Sequence, residues 1–113
     1  YCMDGTIPRR ALPDVLQRIT QLSAQFGLEV VNVFHAGDGN LHPLILFDAS
    51  RDGELENAEE LGGRILELCV QAGGTITGEH GVGIEKINQM CVNGFIIQMQ
   101  NTFLKFLHIL QVV

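Results

Sequence analysis

Tryptophan is absent from this 113-residue chain, tyrosine occurs once and proline three times. Basic residues are scarce as well: 7 Lys and Arg face 13 Asp and Glu, a net charge of −6. An acidic chain with no Lys/Arg block and no Trp is a poor binder of nucleic acid or anionic membrane, and both classes are set aside. Only three cysteines occur (Cys2, Cys69, Cys91), an odd number with no CxxC pair. That excludes a disulfide framework or a cysteine zinc ribbon and fits a reducing compartment. No run of ~18 apolar residues offers a membrane span, and no basic and then apolar leader suggests secretion. The opening Tyr1-Cys2-Met3 reads as a piece cut from something longer.

What is present suits one globular domain with a modest core: 46% apolar and 18% charged residues. Thirteen glycines point to several tight turns. Met3–Ile7 reads as a short extended segment stopped by Pro8. Pro13 suits the first turn of a helix, and Val15, Leu16, Ile19, Leu22 and Phe26 give it one apolar face ending at Gly27. Glu29–Phe34 is β-branched and reads as a strand. Leu41–Phe47 reads as a second, with Pro43 placing it at an edge or bulge. Leu55, Ala58, Leu61, Ile65, Leu68 and Cys69 stripe a long helix ending at Gly73-Gly74, with Gly62-Gly63 allowing close packing. Thr75–Thr77 reads as a short strand and Ile84–Met90 as a short helix. The order β-α-β-β-α-β predicts an α+β, ferredoxin-like fold, an antiparallel sheet with two helices on one face.

The domain so defined covers residues 1–91. Residues 92–113 form an atypical tail with one Lys, no acid and three of the six Phe. Helix or buried strand would fit it equally.

The densest polar cluster is His35-Ala-Gly-Asp-Gly-Asn-Leu-His42, between two apolar strands. On a straight strand its two histidines would stand ~23 Å apart. Gly37, Asp38, Gly39 and Asn40 tolerate the backbone angles of a sharp bend, which would bring both rings together as metal ligands. A plain hairpin flanked by surface histidines fits the spacing equally. Gly78-Glu79-His80-Gly81 is the second cluster. Neighbouring side chains on an extended segment point opposite ways, so one could join a metal site of two His and a carboxylate while the other faces a substrate. A polar loop ending a strand is the plainer reading.

Asp48, Ser50, Asp52, Gly53 and Glu59 match EF-hand calcium-loop spacing. A strand, not a helix, enters that segment, so a loop before a helix N-terminus is expected instead. Arg9 and Arg10 read as solvated, Lys86 as a surface helix residue and His108 as packed in the tail. The cysteines read as core fillers.

Taken together, VFHAGDGNLHPLILFD, GGTITGEHGVGIEKINQM and the lead-in DGTIPRRALP resemble the C-terminal cap domain of FAD-linked 2-hydroxyacid oxidases and dehydrogenases, the glycolate and D-lactate type. The likeness covers residues 1–91 and stops at the tail. It implies a ferredoxin-like cap over the flavin, with His35, His42 and Glu79 as ligands of a divalent metal (Zn, Mn or Fe). It further implies His80 as the base that takes the substrate's proton, and Asn40 near flavin or substrate. The implied protein is a cytoplasmic flavoprotein oxidising a small 2-hydroxy acid, reaching the inner membrane face through other oxidase subunits. This chain has no GxGxxG fingerprint or separate domain for FAD, so it is expected to supply half an active site and to be inactive alone. Its exposed apolar surface is expected to favour self-association. A non-catalytic metal-binding module and a structural association domain are the alternatives.

Overall fold

The computed structural model describes residues 1–76. They run β1 (Gly5–Thr6), a 3-10 turn (Arg9–Ala11), α1 (Leu12–Phe26), β2 (Glu29–His35), β3 (Asn40–Leu46) and α2 (Glu54–Gln71). The result is a small α+β unit: a three-stranded antiparallel sheet in the order β1-β3-β2, with two helices. The expected helix at Ile84–Met90 and the tail lie outside the described residues.

Local chemistry accounts for the elements. Pro13 lies in the first turn of α1, where a missing N–H costs nothing. The helix stops at Gly27, whose φ of 66° is left-handed, and Leu28 N–H returns to Ser23 O at 3.2 Å. Val15 and Ile19 of α1 are buried, as are Ala58, Leu61, Ile65, Leu68 and Cys69 of α2. Leu55, expected on the same stripe, remains 44% exposed because it sits in the first turn of α2, ahead of the packed part of the helix. Gly62 does serve close packing: a Cβ there would stand 2.8 Å from the Tyr1 ring.

Side chains alternate across a strand, so the pairing register sorts the sheet into two faces. Phe34 opposes Leu41, Asn32 opposes Pro43 and Val30 opposes Ile45 on the face that the helices cover. His35 opposes Asn40, Val33 opposes His42, Val31 opposes Leu44 and Glu29 opposes Leu46 on the other face. Leu41 and Ile45 are 1% and 0% exposed, whereas Val31, Val33 and Leu46 are 42%, 47% and 49% exposed.

Two sequence expectations need correction. Pro43 lies in the central strand, not at an edge. Its carbonyl accepts from Met3 N–H at 2.9 Å, so its nitrogen turns toward the short first strand, where a single ladder bond is forgone and the β2 ladder is untouched. Thr75 of the expected Thr75–Thr77 strand bridges Thr6 antiparallel, and residue 77 lies outside the described residues. Cys2 is exposed, because its bridge to Leu44 sets it on the face away from the helices; Cys69 is the buried filler.

Candidate functional site

The bend between β2 and β3 is a hairpin loop, residues 36–39. Asp38 N–H and Gly39 N–H both donate to His35 O at 3.0 Å, closing it. Gly39 has φ 72°, and a Cβ there would lie 2.0 Å from Ile7 O. Its carbonyl accepts from Ile7 N–H at 2.9 Å, tying the loop to the segment after β1. Only glycine fits both the angle and the space.

The hairpin makes His35 and His42 diagonal neighbours on the face away from the helices. Their ring centroids are 5.5 Å apart with planes at 88°. Two imidazoles sharing one ion at ~2.1 Å, near tetrahedral angles, would hold their centroids about 5 Å apart. The centroid spacing of the pair is close to that value. His42 Nδ1 also lies 3.9 Å from Asp4 Oδ1, with the two side chains 13% and 5% exposed. That is ion-pair reach and longer than a hydrogen bond. Asp4 was missed by sequence reasoning; the available signal was an acid in the otherwise apolar extended stretch Met3–Ile7. Asn40 is 4% exposed, and its Oδ1 is buried with no hydrogen-bond partner among the described residues. The amide thus keeps an acceptor for a ligand at this face.

Glu79 and His80 lie outside the described residues. Among the described residues, no group of three or more His, Cys, Asp or Glu converges as a metal site. The EF-hand look-alike resolves into a turn. Asp48 accepts from Ser50 N–H at 2.9 Å and from Ser50 Oγ at 2.6 Å, and strand β3 precedes it. Those two bonds from Ser50 hold the Asp48 carboxyl below its ordinary pKa. A groove of about 260 Å³ between α1 and α2, lined by Arg18, Gln21, Leu22, Arg64 and Leu68, lies on the helices and away from the histidines. Arg64 there is engaged by Glu60 and Glu67 at 3.8 and 3.6 Å.

Residues 1–93 match the family "FAD linked oxidases, C-terminal domain", and the chain belongs to it. It is 74% identical over 91 residues to the glycolate oxidase subunit GlcD of Escherichia coli strain K12, which covers 80% of this chain and 18% of that protein. The Bacillus subtilis GlcD is 40% identical over 80 residues, covering 71% of this chain and 17% of its own length. A D-lactate dehydrogenase of Archaeoglobus fulgidus is 32% identical over 90 residues, covering 78% and 19%. The chain thus spans under a fifth of the length of these relatives. Among the described residues no helix is long and apolar enough to cross a membrane.

Proposed function

We propose that this chain is the substrate- and metal-binding part of an FAD-dependent oxidoreductase that oxidises a small 2-hydroxy acid, of the glycolate or D-lactate kind. The observation that carries this reading is the His35–His42 pair, set with Asn40 and Asp4 on the sheet face that the helices leave open. The proposed fold is ferredoxin-like. The antiparallel Thr6–Thr75 bridge beside β1 supports it, since it puts the chain after α2 where a fourth strand would complete the order 4-1-3-2.

His35, His42 and Glu79 would hold a divalent ion, and Asp4 would orient His42. Bound there, such an ion supplies a Lewis acid for the substrate's carboxylate and hydroxyl. FAD, held mainly outside residues 1–113, supplies the hydride acceptor. His80 takes the hydroxyl proton, for which a neutral imidazole is suited near pH 7. Asn40 offers its amide to substrate or flavin. Partner subunits of the longer enzyme would connect it to the membrane's inner face, with the site in the cytoplasm.

The test is a chimera: residues 1–91 replace the matching segment of the Escherichia coli GlcD. Glycolate-dependent dye reduction should survive in the chimera and be lost with His80→Gln while FAD stays bound. A chimera that binds FAD yet is inactive would overturn the oxidase reading. Zinc or manganese calorimetry on the chain should show one site weakened at least about tenfold by His35→Ala or His42→Ala. Unchanged affinity in both variants would remove the metal from the proposal.

A further inference from the structure

Strand β2 is an edge among the described residues, and its one protecting charge, Glu29, stands at its end. Glu29–His35 contains no Lys and no Pro, and its seven-residue register with β3 runs without a bulge. Val31, Val33 and Phe34 stay 42%, 47% and 41% exposed.

The direction of its free backbone groups follows from β3. Tyr1 and Ile45 exchange N–H···O bonds of 2.8 and 2.9 Å, and Pro43 O takes Met3 N–H. Residues 43 and 45 thus spend their backbone groups on the first segment, and their β2 partners Asn32 and Val30 form the non-bonded pairs. Val30, Asn32 and Phe34 therefore present N–H and C=O to the open edge.

The strand is self-complementary about Asn32. Laid antiparallel on itself with Asn32 at the centre, it sets Val31 against Val33, Val30 against Phe34, and Glu29 against His35. Every apolar side chain meets an apolar one, and the acid meets the imidazole. Asn32 itself has a buried Oδ1 with no hydrogen-bond partner among the described residues. The signal is the palindrome of the edge itself, apolar on apolar and acid on imidazole.

We propose that β2 pairs with β2 of a second copy of this chain, antiparallel and centred on Asn32, joining two sheets into one. Three hydrogen-bonded residue pairs (30 with 34, 32 with 32, 34 with 30) hold it, each exchanging two backbone bonds. The net charge of −6 per chain opposes association at long range, and physiological salt screens that repulsion beyond ~8 Å.

Light scattering and sedimentation of the 113-residue chain in 0.15 M salt test this. The expected mass is twice the 12.4 kDa of one chain. Asn32→Pro deletes an N–H that only the second copy uses, so the chain should become monomeric with its circular dichroism retained. Exposed-end variants guard against misfolding and report the register. His35→Glu alone should weaken the dimer roughly fivefold, since it sets like charges opposite at two symmetric places. Adding Glu29→Lys should restore it. A monomer in the parent chain overturns the proposal. So does association that persists through Asn32→Pro, or a double variant no tighter than His35→Glu.

Discussion

Replacing Gly39 with alanine tests whether the hairpin loop and the first segment are locked together, as the histidine pair requires. Two costs act there. The φ of 72° is left-handed, which costs an L-residue about 1–2 kcal/mol. The new Cβ would also stand 2.0 Å from Ile7 O, so the loop must withdraw and the 2.9 Å bond from Ile7 N–H to Gly39 O is strained or lost. Losing a bond with both groups enclosed costs about 1–3 kcal/mol more. Gly27 supplies the control, because its φ of 66° carries the same angular cost while a Cβ there meets nothing within 4 Å. Both substitutions also restrict the unfolded chain, a gain of about 0.4–1 kcal/mol that cancels in the comparison. Urea unfolding followed by circular dichroism should therefore place Gly39→Ala at least about 1 kcal/mol below Gly27→Ala. Equal midpoints would refute the contact between loop and first segment, and with it the account of how the two rings are held.

The faces of β3 make a second comparison: Ile45→Ala should cost about 2–5 kcal/mol in the same assay, and Leu46→Ala, 49% exposed, well under half of that. Asp4→Asn should leave the fold intact and weaken zinc binding by about 10- to 100-fold, because it removes the carboxylate behind His42; unaltered affinity in calorimetry would deny Asp4 that role. Asp48 has a depressed carboxyl pKa in the folded chain, so its contribution to stability is present above the unfolded carboxylate pKa and is lost as pH falls through the lower folded one. In an NMR titration, Ser50→Ala should move the Asp48 midpoint upward, and a midpoint that stays put would mean the Ser50 hydroxyl is not the cause.

The helices and the hairpin were legible in the sequence because their signals are local. Gly27 ends α1 through its own backbone angle, and Gly39 carries the bend through its own. The diagonal meeting of His35 and His42 follows once the loop length is known, since a four-residue loop sets His35 opposite Asn40 and the period of two brings His42 to the same face. What escaped depended on partners distant in sequence. Pro43 suggests an edge only while its neighbour is unknown; the one N–H it lacks would have served a first segment some forty residues away. Asp4 is silent for the same reason, because its meaning arises from β1 lying beside His42.

That separation also explains how one small sheet can serve two purposes. Leu41, Pro43 and Ile45 spend their side chains on the core, and their strand neighbours Asn40 and His42 are thereby forced to the opposite face whatever their chemistry. A shift of β3 by one residue would turn Asn40 and His42 toward the helices and expose the core set. Burial of Ile45 and Leu41 is thus the force that holds the imidazoles outward. The same alternation leaves Val31 and Val33 on the histidine face, where the helices cannot reach them. Substitutions at Ile45 that keep the register should therefore lower stability and metal affinity on different scales: stability falls with each methylene removed, and the affinity holds until the register fails.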